Sequence, residues 1–287
     1  MEKKVFVVDS QRLNGMQACM RKYSYTFGQS LEPVETPIQF ERGDIFHHFM
    51  EFYYNARKVR HLWDKNGLTH ADIVQQGIDD TRAYALEKLI GVDEVEDLIR
   101  VVHEYVQHYQ NDGWDNIIAI EKVATKQLYE DDKYVVAYEG KLDLIIGLQN
   151  YPAIWIDHKT EKRKSYPSDM VNQFLGYSWL LGINNGIVNK VGFQKTVKAE
   201  EKFRREVVSY TDARIKEWEE NTIWTIKESL KLIEQNKFPM NLTSCDKYKG
   251  CTYRSICMST PEDRDRKLTE LFQIREKQWD VGLANES

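Results

Sequence analysis

Nowhere does the 287-residue chain offer an apolar run approaching the roughly 18 residues a membrane helix needs. Its first segment, MEKKVFVVDSQRL, has only a short apolar stretch before polar residues resume, too little for the core of a signal peptide. A cytoplasmic location with no membrane partner is therefore expected. The phosphate-loop pattern G-x4-G-K-[ST] is missing, so any unwinding of a duplex would fall to another protein. No flavin or nicotinamide fingerprint, internal repeat or low-complexity linker is found either. Positive charge is in short supply, with a formal net charge of −5. That argues against a protein that coats nucleic acid non-specifically, but a local basic groove can still grip phosphates. Lys159–Lys164 (KTEKRK) and Lys202–Arg205 (KFRR) are the candidate stretches, and both read equally as solvated loops.

The length is enough to bury one sizeable core. Helices are expected from Gln11 to about Tyr25 with Ser10 as cap, from Gly43 to Arg57, from Thr69 to Ile90 and from Val95 to Asn111. Thr69 and Asp72 have the spacing of a capping box. From Ile117 the pattern turns to short β-rich runs: IIAIEKVATKQLYE, KYVVAYEGKLDLIIGL and AIWIDHK. A helix at Asp169–Leu181, strands near Val191–Val197 and Phe203–Tyr210, and a long helix from Thr211 to Asn236 follow. This order implies a mixed α/β (α+β) core rather than a doubly wound one. The chain is expected to form a single domain over residues 1–287. Within it we expect a helical insertion at 58–113, a sheet core at 114–210, and a long helix with a cysteine-bearing tail at 211–287.

Two of the β-rich runs place acidic groups together. Strand side chains alternate, so Leu142, Leu144 and Ile146 share one face while Lys141, Asp143 and Ile145 share the other. In the next run Trp155, Asp157 and Lys159 fall on one face and Ile154, Ile156 and His158 on the other. With a loop over Leu148–Pro152, Gly147 lies opposite Ala153 and Asp143 opposite Asp157, and a one-residue slip breaks the arrangement. Two close carboxylates repel unless a cation or proton sits between them, and hard oxygen donors suit Mg²⁺ or Mn²⁺. Lys159 would then orient water or offset charge on the transition state. Asp-x-Lys alone is common and equally describes a surface hairpin.

The four cysteines are Cys19, Cys245, Cys251 and Cys257. Without a secretory signal disulfides are not expected, and three thiols within 13 residues point to a metal or iron–sulfur site. Zinc motifs usually pair cysteines at shorter gaps than these two x5 intervals, which favours iron–sulfur, with zinc and unliganded thiols as the alternatives.

The motifs in sequence resemble the RecB-like branch of the PD-(D/E)XK nucleases. They are S-Q-R-L-N-G-M-Q-A-C-M-R-K-Y around Cys19, R-G-D-I-F-H from Arg42 to His47, G-K-L-D-L, I-D-H-K-T fourteen residues on, Q-F-L-G-Y, and the cysteine tail. The resemblance runs from residue 10 to residue 257 and implies a restriction-endonuclease-like core with a central mixed sheet flanked by helices. It implies His47, Asp143 and Asp157 as metal ligands, with Glu121 as a further contact and His48 as the rival to His47. Lys159 is the implied catalytic lysine, with Gln173 and Tyr177 beside it on one helix face. The cysteines resemble the [4Fe–4S] staple of AddB and the CRISPR-adaptation nuclease, although C-x2-C-x5-C has become C-x5-C-x5-C here. The implied function is a Mg²⁺- or Mn²⁺-dependent deoxyribonuclease, an exonuclease on single-stranded or end-exposed DNA, like small members in phages and CRISPR systems. Implied partners are DNA and a helicase, recombination or CRISPR-adaptation protein. Rival readings are a non-catalytic DNA-binding or assembly subunit and an electron-transfer iron–sulfur protein.

Overall fold

The change of pattern at Ile117 is where two long strands begin. The computed structural model of the chain describes residues 2–34, 38–161, 171–246 and 250–275. In chain order the elements start with β1 (Lys4–Val8), α1 (Ser10–Ala18), α2 (Met20–Tyr23), β2 (Leu31–Pro33), α3 (Ile38–Lys58) and α4 (Trp63–Asn66). Then come α5 (His70–Glu87), α6 (Val92–His108), β3 (Ile117–Glu130), β4 (Tyr134–Leu148), β5 (Tyr151–Glu161) and α7 (Asn172–Leu181). The remainder are β6 (Asn185–Gly192), α8 (Ala199–Lys202), β7 (Phe203–Ser209), α9 (Asp212–Glu234), α10 (Arg254–Cys257), α11 (Pro261–Leu271) and β8 (Phe272–Ile274). They group into two compact units: Met1–Thr36 with Thr125–Gly140 and Asp212–Ser287, and Pro37–Ala124 with Lys141–Thr211.

The second unit holds a mixed sheet, in which β4 pairs antiparallel with β5, β5 parallel with β6, and β6 antiparallel with β7. On one face lie Leu144, Ile146, Ile154, Ile156 and Ile187, in one core with Ile45, Phe46, Phe49, Tyr53 and Tyr54 of α3 and Leu98, Val102 and Tyr105 of α6. Those helix positions recur every three to four residues, the spacing of one buried stripe. The other face carries Trp155, stacked on Phe174 of α7 at 5.4 Å between ring centroids and donating from Nε1 to Ser178 Oγ at 3.1 Å. α5 starts with the capping box expected of Thr69 and Asp72. Such a cap contributes about 1 kcal/mol. Its buried Ile73, Val74 and Ile78 contribute about 2 kcal/mol each, so packing decides that this helix forms.

In the first unit β1 lies parallel to the first half of β4, Phe6 against Val136. Tyr138 meets Trp218 of α9 edge to face at 5.2 Å. A small core of Tyr25, Tyr253, Ile256 and Phe272, with Cys251 and Cys257 packed on it, joins β2 and β8 to the helical tail. Among the described residues no helix is long and apolar enough to cross a membrane.

Several expectations shift. The helix expected through Tyr25 is capped by Asp9 rather than Ser10, and it breaks at Cys19, whose φ of −171° and ψ of 117° are extended. The break separates α1 from α2 and leaves the thiol at a bend. β1 escaped the sequence reading altogether. The strand expected at Val191–Val197 lies earlier, at Asn185–Gly192. The expected start of α7 at Asp169 lies outside the described residues. The hairpin loop is tighter than Leu148–Pro152: the strands run to Leu148 and from Tyr151, paired across the two residues Gln149 and Asn150. An irregularity between Ile146 and Leu148 absorbs the difference. The ladder Leu144↔Ile156, Ile146↔Ile154 is thus the expected one, and its next step sets Asp143 opposite Asp157.

Candidate active site

Four elements of the second unit converge on one set of acidic groups. β4 supplies Asp143 and Lys141, β5 supplies Asp157 and Lys159, β3 supplies Glu121 and α3 supplies His47. One donor atom from each of His47, Glu121 and Asp143 lies within 4.8 Å of the other two, the three-donor set found among the described residues. His47 Nδ1 is 3.5 Å from Asp143 Oδ1 and 4.0 Å from Glu121 Oε1. Its Nε2 is 3.1 Å from the backbone oxygen of His158. A carbonyl oxygen only accepts, so Nε2 carries a proton there, and Nδ1 is turned toward two carboxylates. The two carboxylates repel each other until a cation or proton sits between them.

Asp143 is fixed in turn, its Oδ2 accepting the backbone N–H of His158 at 2.7 Å. Burial, and after it the charge of Asp157, pushes its carboxyl up to about 7, against the opposing pull of His47, the His158 N–H and Lys159. Asp157 is fully buried and is held by Lys159, whose Nζ is 2.8 Å from Oδ2 and 3.0 Å from Oδ1. Burial alone would lower the Lys159 ammonium, but Asp157 and Asp143 outweigh it and raise it overall. Glu121 is the strained member. Its φ of +46° lies in the left-handed region that strand residues avoid, a conformation costing on the order of 1–3 kcal/mol. Nothing in the run IIAIEKV signals this kink. Glu121 Oε2 lies 2.5 Å from Lys141 Nζ.

Gln173 and Tyr177 join the site from α7. Gln173 Nε2 donates to the Tyr177 hydroxyl at 2.7 Å, and that hydroxyl is 2.7 Å from the Lys141 backbone oxygen and 3.5 Å from Asp157 Oδ1. The pair therefore braces the backbone of β4 beside Asp143. His48 lies elsewhere, bonded through Nε2 to Asp80 at 2.8 Å and stacked on Tyr84 at 4.0 Å. Between the two neighbouring histidines, the structure gives His47 to the acidic set.

A supporting layer was not visible in the sequence. His158 is buried, stacks on Tyr54 at 5.7 Å, and faces the Asn189 amide through Nδ1 at 2.6 Å. Burial holds its imidazole well below the usual histidine range, so it is neutral. Asn189 also donates to the Tyr105 hydroxyl at 2.9 Å, tying β5, β6 and α6 together behind the carboxylates.

The expected basic stretches fare differently. Lys202 is buried and paired with Glu104, and Arg204 pairs with Glu161 and Glu206. Arg205 lies over Tyr109 and Trp114 at 3.6 and 3.4 Å and bonds Asp112 at 2.7 Å. These cations are consumed in internal pairs, so Lys202–Arg205 is neither a phosphate groove nor a solvated loop. Of KTEKRK, Lys162, Arg163 and Lys164 lie outside the described residues.

In the first unit all four cysteines are half-buried, and none forms a disulfide. The charges of Cys251, Cys19 and Cys245 reach Cys257, whose thiol burial, ahead of those charges, pushes up. The Asn241 N–H approaches Cys19 Sγ at 3.4 Å, and the Cys251 N–H donates to the Cys245 backbone oxygen at 2.7 Å. No three of the thiols lie within 4.8 Å of one another.

A model of the PD-(D/E)XK nuclease superfamily matches residues 10–258. No curated protein matches the chain. Similar solved structures include SSO0001, at 19% identity, covering 73% of this chain and 95% of that one with a TM-score of 0.34. A candidate exonuclease from Eubacterium rectale is 11% identical over 83% of this chain and 85% of its own, with a TM-score of 0.46. LHK-Exo, solved in complex with dAMP, is 13% identical over 68% and 95%, with a TM-score of 0.33.

Proposed function

Because the chain belongs to the PD-(D/E)XK nuclease superfamily, we propose that it is a divalent-metal-dependent deoxyribonuclease, acting as an exonuclease on single strands or exposed ends. The observation that carries this is the acidic set itself: Nδ1 of His47 facing Glu121 and Asp143, with Lys159 held on Asp157 alongside.

The donor chemistry fits a hard divalent ion. Two carboxylates and one imidazole suit Mg²⁺ or Mn²⁺, and the Asp143 carboxyl, raised by burial and by Asp157, is one a cation would relieve. His47, Glu121 and Asp143 would hold the ion, with Asp157 adjoining. Bound there, it would supply Lewis acidity for a phosphodiester. The protein's own groups do the rest. Lys159, ammonium fixed by Asp157, offers positive charge to developing phosphate oxygens or orients the attacking water. His158 anchors both His47 and Asp143 through its backbone, so ligand geometry follows the register of β5. Gln173 and Tyr177 hold β4 against drift.

The four cysteines hold a [4Fe–4S] cluster on the same reading. A tetrahedral zinc ion with Zn–S of about 2.3 Å draws its thiolates closer than 4.8 Å. The two x5 intervals between Cys245, Cys251 and Cys257, longer than the usual gaps of zinc motifs, are what support the larger group. The cluster is structural, tying Cys19 to the tail that carries the other three.

Digestion of end-labelled single- and double-stranded DNA with Mn²⁺, wild type beside Lys159→Ala, tests the activity. Progressive shortening by wild type alone is expected. Equal inertness or equal activity of the two proteins overturns the assignment.

A further inference from the structure

Lys141 is left over by the nuclease reading, yet it sits at the centre of the site. Its Nζ lies 2.5 Å from Glu121 Oε2, the carboxylate oxygen turned away from His47. Its side chain is 61% exposed, whereas Glu121 is 13% exposed. The ammonium therefore stands at the mouth of the site with a buried carboxylate behind it. Glu51 on α3, itself exposed, and Asp143 also act on its charge. Its backbone is clamped, since the Lys141 carbonyl accepts the Tyr177 hydroxyl at 2.7 Å. The backbone is thus anchored, while the exposed head is held by Glu121.

Charge counting gives this lysine a task. With a cation bound and all three carboxylates ionised, Glu121, Asp143 and Asp157 carry three negative charges against the two ammonium groups of Lys141 and Lys159, one negative charge in excess before the cation and the substrate are counted. A divalent cation arriving with one phosphodiester adds one net positive charge and brings the site to neutrality. Without Lys141 the loaded site stays one charge negative, which repels the phosphate. Lys159 is already bonded to both oxygens of Asp157. Lys141 is the cation that can leave its partner when a metal takes over Glu121.

We infer that Lys141 is a second phosphate-binding lysine: it holds Glu121 in the metal-free site and, once Glu121 is engaged by the cation, turns to the phosphodiester of the bound strand. The inference rests on the nuclease reading and adds a substrate contact to it.

The test compares wild type, Lys141→Met and Lys141→Arg. Binding of a short labelled thymidine single strand is followed by fluorescence anisotropy in Ca²⁺ at several salt concentrations, and Mn²⁺ binding is measured without DNA. For Lys141→Met we expect about tenfold weaker strand binding and a log–log salt slope shallower by about 0.7, the value for one lost contact to a single strand. Its Mn²⁺ affinity should rise, because a competitor for Glu121 has gone. Cleavage should fall by about two orders of magnitude, the lower end of the loss when one charge-stabilising donor is removed. Lys141→Arg should restore the slope. A Lys141→Met variant with wild-type slope and cleavage overturns the assignment of Lys141 and leaves the nuclease reading standing. A wild type that neither binds nor cuts DNA overturns both.

Discussion

The acidic set and the cysteine set are built in opposite ways. His47, Glu121, Asp143 and Asp157 stand on a 21-residue helix and on strands of 14, 15 and 11 residues, and the four residues themselves fall in the second unit. The cysteines stand at a helix break, after a short turn, in a loop and at the end of a four-residue helix. Donors of His47, Glu121 and Asp143 approach to within 4.8 Å of one another, and no three of the thiols do. Long elements locked by a buried core hold atoms to fractions of an ångström, which charge stabilisation in a reaction demands. Loops hold donors loosely, which suffices where the bound group itself completes the geometry. The contrast predicts that the acidic set is formed without its ligand, whereas the cysteine set depends on its own.

The largest test of the contrast is Asp143→Asn. The amide oxygen still accepts from His158 N–H, so the fold should persist, while cleavage should fall by about three orders of magnitude, the several kcal/mol a held cation supplies. Mn²⁺ should then no longer raise Tm. A drop in folding instead would show that the acidic set, too, is organised by its ligand. Next in size, Cys→Ala at Cys19, Cys245, Cys251 or Cys257 should cost the brown chromophore and solubility together. A soluble variant that lost the colour would mean the first unit is formed without a clasp.

A third test sharpens the comparison through pH. Asp143 binds its proton more tightly folded, at about 7, than unfolded, near 3.8. The folded chain therefore holds more protons between those values, and metal-free stability should fall as pH rises through them and level off above 7. The loss is at most about 4 kcal/mol, at 1.36 kcal/mol per unit. Urea midpoints of wild type should approach those of Asp143→Asn near pH 4 and fall below them at pH 8, with Mn²⁺ closing the gap. Parallel pH curves for the two proteins would remove Asp143 as the source. The smallest effect belongs to Tyr177→Phe, which leaves the Lys141 carbonyl without its donor and should cost about 1 kcal/mol of stability. Cleavage should drop several-fold with Mn²⁺ affinity unchanged, and a change in the affinity instead would place the hydroxyl in the metal set.

Legibility followed the same division. The hairpin register was readable because side chains alternate along a strand, which puts Leu144, Ile146, Ile154 and Ile156 on one face and Asp143, Asp157 and Lys159 on the other. The loop was misplaced without harm, since the irregularity at Gly147 restored the register. β6 was harder: it is sandwiched between β5 and β7 and buried along nearly its whole length, so alternation disappears. Asn189 and Lys190 also make it look polar, although both are buried and each has a partner, the Tyr105 hydroxyl and Glu206. The run Lys202–Arg205 misled for the complementary reason, because nothing local reveals that Glu104, Glu161 and Asp112 wait for those cations. The extended backbone at Cys19 carries no glycine or proline to announce it. His158 and Asn189 look like ordinary strand residues until the strands are laid side by side.

Glu121 has one further consequence, for anyone improving the protein. Its left-handed backbone is a conformation that glycine adopts freely. Glycine there would also remove one of three crowded negative charges. A screen for thermal tolerance alone would therefore be drawn to position 121 and would delete a donor while reporting success. Resistance to heat and capacity for chemistry pull this one residue in opposite directions.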